Sequence, residues 1–369
     1  MTENFTVNDD FIVDFKNKAE EEKVIAPSKE GVKKLKGILT NKVAIVESPP
    51  LTEKLFEIKD QEAVIKNTVL LTGGSGFFGS HIKNALEKAG YNVFTFNSKK
   101  YDISVYEAVR AAFIDSKPDF VIHAAGFNGG IEFNRKYPAQ ILEANIRMSL
   151  NVFDACKEFK VKKLVSIISS CAYPDGEELI TEDSLFNGRS NDSIAAHSFA
   201  KRLLQEASTA YNKQYKLNAV TVAVTNLFGP RANFHPENSK VVEGVISKLV
   251  KARNEEKESV EFWGSGEPKR QFMFAPDAAK YVVKALESYS DNTKPLNIGP
   301  EHESTIKDLV NIVADIVGYK GEIIWDGRPD GQMRKMLDVS TLKSLFGLDT
   351  TSFIKALKET VSWYENEKK

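Results

Sequence analysis

Cysteine is almost absent from this chain. Two thiols in 369 residues, Cys156 and Cys171, cannot build a disulfide framework, so the fold has to stand on its own hydrophobic core. Also missing is any apolar run long enough for a membrane span or for the apolar region of a secretory signal, which predicts a cytoplasmic protein with no membrane partner. There is almost no net charge: 50 Lys and Arg against 51 Asp and Glu leave a formal −1. Composition therefore announces no basic face and argues against a general nucleic-acid binder, so a charged substrate must be met locally. No internal repeat or low-complexity tract stands out, and no metal is expected. What is present is 42% hydrophobic residues, enough to bury a full core, expected as two lobes plus an appendage.

The appendage is residues 1–66, rich in Lys, Glu and Asp, broken at Pro27 and at Pro49 and Pro50, with one strand-like run at Val43–Val46. It carries no catalytic signature. A loosely docked extension and a partner-binding or oligomerising arm are both open readings.

Beyond it, Thr68–Thr72 reads as a short apolar strand running into Gly73-Gly-Ser-Gly76-Phe77-Phe78-Gly79, followed by helical spacing through Lys88. Glycines at 73, 76 and 79 permit a tight turn, let backbone approach a pyrophosphate and let the helix pack on the strand, while the helix N-terminus offers unpaired N–H donors. A glycine fingerprint alone is weak. Here a second strand at Asn92–Phe96, a helix near Val105–Ser116 and a third strand at Asp119–His123, before Ala124 and Ala125, supply the context that dinucleotide binding requires. At the end of the second strand the usual carboxylate for a ribose 2′-hydroxyl is missing, and Asn97-Ser-Lys99-Lys100 stands there. Cations suit a 2′-phosphate, which favours NADP over NAD and points to Lys99, with Asp102 left for the adenine side. A solvated lysine pair is the plain alternative.

Helical spacing over Glu143–Phe159 and a strand at Lys163–Ile168 lead into Ser169-Ser170-Cys171-Ala172-Tyr173-Pro174. A long helix over Ala195–Tyr215 and a fifth strand at Asn218–Val224 follow. Alternating strands and helices predict an α/β fold, a Rossmann-type doubly wound parallel sheet, with ligands at the carboxyl ends of its strands. The domain boundaries expected are 67–230 for the NADP-binding domain, with 276–300 returning to it, and 231–369 for a smaller, mainly substrate-binding α/β lobe.

With these motifs in view, the chain resembles the GDP-L-fucose synthases of the extended short-chain dehydrogenase/reductase (NAD-dependent epimerase/dehydratase) superfamily over about Thr68 to Leu348. The resemblance rests on the glycine turn, His123-Ala-Ala-Gly126 with Gly129-Gly-Ile131, the Ser169–Pro174 run and Lys201. It rests also on Thr225-Asn-Leu-Phe-Gly-Pro230, Asn233-Phe-His-Pro-Glu-Asn-Ser239, Trp263-Gly-Ser-Gly266 and Pro329-Asp-Gly-Gln-Met-Arg-Lys335. The latter stretches are the ones specific to the fucose synthase branch and its close relatives.

That family epimerises GDP-4-keto-6-deoxymannose at C3 and C5 and then reduces its C4 ketone with NADPH, as a homodimer. The resemblance assigns the proton-moving pair to Cys171 and His235, whose side-chain types titrate close enough to neutrality to carry protons. It assigns the ketone-holding hydroxyl to Ser169 and the nicotinamide-ribose lysine to Lys201. Cofactor contacts fall on Gly73, Gly76, Phe77, Phe78, Gly79, Ala124, Ala125, Asn226 and Leu227, and substrate contacts on Ser170, Asn226, His235, Val241, Trp263, Arg270 and Lys335. Arg270 and Lys335 suit a diphosphate, and Trp263 suits a base.

One position departs from the pattern. Where the family has its proton-donating tyrosine, four residues before Lys201, this chain has His197. Imidazole is shorter than phenol, and the Lys201 cation disfavours its charged form. Three outcomes stay open: a working reductase with His197 or a water it holds as donor, an epimerase that has lost reduction, and a silent nucleotide-sugar binder. Tyr173 is a candidate replacement phenol.

Overall fold

The computed structural model describes residues 67–236 and 239–367. The extension 1–66, with its strand-like run at Val43–Val46, lies outside the described residues.

The glycine turn links β1 (Thr68–Thr72) to α1 (Phe77–Lys88), and β2 (Asn92–Thr95), α2 (Tyr106–Ser116) and β3 (Phe120–His123) complete the first half of the nucleotide fold. After a short α3 (Ile131–Lys136) comes α4 (Pro138–Glu158), which starts well before Glu143 because Pro138 sits in its first turn, where a proline's fixed φ suits a helix start. Then follow β4 (Lys163–Ser169), β5 (Leu179–Ile180), α5 (Ala195–Tyr215), β6 (Ala219–Val224) and β7 (Asn226–Phe228). The remaining elements are α6 (Val241–Asn254), β8 (Ser259–Phe262), β9 (Lys269–Arg270), β10 (Phe272–Phe274), α7 (Ala275–Ser288), β11 (Leu296–Ile298), β12 (Ser304–Thr305), α8 (Ile306–Val317), β13 (Glu322–Trp325), β14 (Arg334–Leu337), α9 (Ser340–Phe346) and α10 (Phe353–Glu367).

Six strands form one parallel sheet in the order β2-β1-β3-β4-β6-β11. Its central strands are apolar on both faces: every residue of β6 is buried, and so are the first six of β4. A sheet of this kind needs a helical layer on each side. One side holds α1 against α7; α2, α4 and α5 pack on one another. The sequence order reverses between β1 and β3, which places a crevice at their carboxyl ends.

A second core joins α6, α8 and α10 to the parallel pair β8 and β13, with Phe228, Phe272 and Phe274 inside. Between the two cores runs a small sheet, β12-β9-β14-β5, drawn from four distant parts of the chain. Leu337, Val339 and Leu342 pack with the main sheet's core, so the segment after β14 returns to the nucleotide fold. Two buried amides link the parts. Asn297 donates to the carbonyls of Ile180 and Asp338, both at 3.1 Å, and accepts the Tyr173 hydroxyl at 2.6 Å. Gln271 donates to Pro300 (2.7 Å) and Leu337 (3.1 Å) and accepts the Leu337 amide at 2.8 Å. No described helix is long and apolar enough to cross a membrane.

Candidate active site

The turn after β1 has room only for glycine at two points. Gly73 has φ +72°, and a Cβ there would stand 2.7 Å from the Ala125 nitrogen; a Cβ on Gly79 would stand 2.0 Å from the Gly73 oxygen. Gly76 donates to that same oxygen at 3.0 Å and caps α1 with backbone alone. No side chain caps the helix and no acidic residue lies in its first turn. The amides that open α1, at Phe77, Phe78 and Gly79, are therefore left for an external anion, and the cradle fits a dinucleotide pyrophosphate. Ala124 and Ala125 form the facing wall, with the Ala125 amide 3.3 Å from the Thr72 hydroxyl.

At the end of β2, the Asn97 side chain accepts the Lys99 and Lys100 amides, each at 3.1 Å, and turns the chain. Both lysines are exposed; the Lys100 ammonium lies over the rings of Tyr101 and Phe94, which leaves Lys99 as the one without a ring beneath it. Asp102 is taken up by Ser104, accepting its amide at 2.9 Å and its hydroxyl at 2.7 Å. Asn226 donates to the Gln271 carbonyl at 3.1 Å, and the Leu227 side chain is buried in the core.

The catalytic candidates gather where β4 ends. The Ser169 oxygen accepts the Cys171 amide at 3.5 Å and opens a short turn over Ser170–Ala172, with Ser170 buried. The Ser198 hydroxyl donates to the Cys171 carbonyl at 2.7 Å and fastens α5 to this turn. One helical turn separates His197 from Lys201, which puts both on one face of α5. Lys201 donates to the Ile167 carbonyl at 3.1 Å, and burial brings its ammonium down to about 8, with Cys171 pulling the other way. Burial, then Lys201 and Lys240, hold the His197 ring neutral by lowering its pKa to about 3. Its Nδ1 is sealed from solvent with no hydrogen-bond partner, which leaves Nε2 as the nitrogen available to a substrate. His123, at the end of β3, is likewise neutral, held at about 3 by burial and by Lys201, with its Nδ1 2.8 Å from the Thr72 hydroxyl.

Across from this group, β9 and β14 put Arg270 and Lys335 directly opposite one another. Arg270 donates to the Lys269 and Gln332 carbonyls at 2.7 and 2.6 Å. Burial lowers the Lys335 pKa, while Cys171 and Asp175 act to raise it. Cys171 thus lies within electrostatic reach of both Lys201 and Lys335. A cleft of about 1190 Å³ opens beside them in the second lobe, and Val241, Trp263, Arg270 and Lys240 are among its walls.

One expectation changes here, and one candidate stands apart from the others. Tyr173 is no replacement donor: it is fully buried, its hydroxyl is given to Asn297, and burial raises its pKa. His235 does not join the cluster among the described residues. It is exposed, with its amide on the Asn233 side chain at 2.9 Å and its carbonyl accepting the Ser239 amide at 2.8 Å. The charged neighbour of His197 from this part of the chain is Lys240, which no sequence motif singled out. Glu243 was missed as well. It is 2% exposed with neither carboxylate oxygen partnered, and burial lifts its pKa to about 7. A single acidic residue in a helix's first turn carries no sequence signal of such burial.

A profile described as the NAD dependent epimerase/dehydratase family matches residues 69–299. A GDP-L-fucose synthase of Dictyostelium discoideum is 34% identical over 310 residues, covering 82% of this chain and 97% of that protein. The chain belongs to the NAD dependent epimerase/dehydratase family. Its solved relatives agree. A GDP-L-fucose synthetase from Naegleria fowleri bound to NADP superposes with a TM-score of 0.76 at 29% identity, over 82% of this chain and 95% of that one. A GDP-D-glycero-L-gluco-heptose synthase from Campylobacter jejuni superposes with a TM-score of 0.74 at 25% identity, over 82% and 98%. Within the family this chain is a GDP-L-fucose synthase-like enzyme, and its glycine cradle and the cluster around Cys171 fall inside the matched span.

Proposed function

We propose that this enzyme is an NADP-dependent epimerase/reductase of a GDP-4-keto-6-deoxy-sugar. The observation that carries the reading is that Cys171, after β4, lies within electrostatic reach of both Lys201 and Lys335, with His197 one helical turn from Lys201 and with their neighbours Lys240 and Arg270 in the wall of the cleft. Gly73, Gly76, Phe77, Phe78, Gly79, Ala124, Ala125, Asn226 and Leu227 hold the dinucleotide, and Lys99 meets the 2′-phosphate that separates NADP from NAD. Arg270 and Lys335 take the diphosphate and sugar oxygens, with Ser170, Val241 and Trp263 shaping the remainder of the pocket. Residues 67–230, with 276–300, form the cofactor domain, and 231–369 mainly the substrate lobe, with 1–66 an N-terminal extension in the sequence.

In the epimerisation, Cys171 exchanges the protons beside the C4 ketone at C3 and C5, each removed from one face and returned to the other, and His235 is the partner acid that resemblance supplies. Bound NADPH supplies the hydride for the ketone carbon. His197 then acts as a neutral electrophile. An orphaned buried N–H is rarer in proteins than an orphaned acceptor, so the ring proton is assigned to Nε2, where it donates a hydrogen bond to the ketone oxygen beside the Ser169 hydroxyl. A neutral imidazole serves in this role when its surroundings forbid the charged form. Lys201 stands one turn away as the proton source for the alkoxide. The second reading, an epimerase without reduction, is favoured by the short reach of imidazole.

GDP-4-keto-6-deoxymannose in D₂O, with and without NADPH, separates these readings. Deuterium at C3 and C5 together with NADPH oxidation at 340 nm is the expected result; deuterium without oxidation leaves the epimerase, and neither signal defeats both. The enzyme works as a cytoplasmic homodimer, and light scattering at micromolar concentration giving the mass of one chain would reject the dimer.

A further inference from the structure

Trp263 is 60% exposed, yet its pose is fixed. Its Nε1 donates to the Pro329 carbonyl at 3.1 Å, and the Arg328 guanidinium lies over its ring, 3.9 Å from the centroid. That guanidinium is itself held. Asp326 accepts from Arg328 Nε at 2.6 Å and pairs with a terminal nitrogen of the same group, while receiving the amides of Gly264 and Arg328 at 2.8 and 2.9 Å. On the neighbouring strand of chain, Asp330 accepts the Ser265 hydroxyl at 2.6 Å and its amide at 3.1 Å. Gly264 sits at φ +76°, where a Cβ would come within 2.2 Å of the Asp330 carboxylate. The loops 263–266 and 326–331 are thus laced into one rigid unit whose product is a flat indole and guanidinium stack, and both groups face the 1190 Å³ cleft.

We infer that the Trp263 and Arg328 stack is a purine platform, on which the base of the bound nucleotide adds a further layer, and that Arg328 sets the preference for purine over pyrimidine. The inference rests on reading the cleft as a nucleotide-sugar site. Its physical basis is that guanidinium and indole are both planar and π-faced, so they stack on bases without reading their edges, and the gain grows with the area of the base. A platform already in place costs little ordering on binding. Arg270 and Lys335, on β9 and β14, are left to the phosphates.

Calorimetric titration of the whole protein with GDP, ADP, UDP and CDP, and of Arg328→Ala and Arg328→Lys, tests this. The wild type should bind both purine diphosphates about tenfold more tightly than the pyrimidine ones. Both variants should lose most of that difference while UDP and CDP affinities move less than about twofold. The Arg328 side chain is 53% exposed and the Gly264 and Arg328 amides still have Asp326 to donate to in both variants, with far-ultraviolet circular dichroism checking that each is folded; lysine keeps the charge while removing the plane. Restoration by lysine, an equal loss for all four nucleotides, no loss at all, or no purine preference in the wild type would each overturn the platform. Failure of the keto-sugar to turn over, with the purine preference intact, would strike the proposed reaction and leave this inference standing.

Discussion

His197 and Lys201 share a face of α5, where Lys201 disfavours a charge on the imidazole and burial lowers the lysine's own pKa. Lys201 and burial keep the imidazole neutral, so the ketone meets a hydrogen-bond donor with no proton to spare. A phenol at this position reaches further and sheds its proton more readily. His197→Tyr should raise the rate of NADPH oxidation about tenfold or more, within the range typical of general acid catalysis, and leave deuterium exchange at C3 and C5 unchanged. Single-turnover absorbance at 340 nm beside NMR exchange reads the two apart, and an unchanged reduction rate would show that the donor is elsewhere. The same two buried rings, His197 and His123, give a pH signature. Both have folded pKa values near 3 against about 6.5 unfolded, so the unfolded chain binds more protons between those limits. Their contribution to stability is present above pH 6.5 and is lost as pH falls toward 3, at about 1.4 kcal/mol per pH unit for each ring. Glu243, raised to about 7 by burial, works in the opposite sense over part of this interval, so the ring is read by difference: the gap in urea stability between the wild type and His123→Gln should narrow by about 1.4 kcal/mol per pH unit as pH falls from 6 to 5, and a constant gap would mean that the His123 ring is charged in the fold.

Among the elements, the first βα unit is the most exacting. A methyl on Gly79 meets the backbone oxygen of Gly73, which has no rotamer to yield, so Gly79→Ala must push α1 away from the turn. The loss of NADPH fluorescence enhancement, with the far-ultraviolet circular dichroism retained, is the expected outcome; wild-type cofactor affinity would show that the cradle is wider than this. This unit was also the most legible in the sequence, because a strand, three spaced glycines and a helix are local signals. The bounds of α5, Ala195–Tyr215, were readable for the same reason, and with them the shared face of His197 and Lys201. Less local facts were not. Nothing near Tyr173 shows that its hydroxyl belongs to Asn297, and nothing near Trp263 names Arg328 as its cover. The exposure of His235 was hidden for a similar reason: a motif matches residue types, whereas exposure depends on how the whole loop lies.

On the scale of the whole molecule, a buried amide ties the distant segments of β5, β11 and the chain after β14 to one another. Asn297 satisfies two carbonyls and a hydroxyl in a place closed to water. Asn297→Leu leaves these groups unpaired, at a cost of about 1–3 kcal/mol each, so the variant should unfold at much lower urea and resist rescue by GDP. Near-normal stability in that titration would mean that water enters the junction.

The small sheet β12-β9-β14-β5 has a last consequence. Its four strands come from the regions of Leu179, Lys269, Ser304 and Arg334, and the cation pair opposite Cys171 exists only while β9 and β14 are in register. Slipping β14 by one residue would turn Lys335 to the face opposite Arg270, and β5, the partner of β14, leads into the loop whose Gly188 carbonyl accepts from Arg202 on α5. Substrate recognition is therefore no detachable module. A substrate lobe grafted from a relative would have to arrive with its seam intact, and natural change in sugar preference is expected to travel through side chains on this seam rather than through exchange of the lobe.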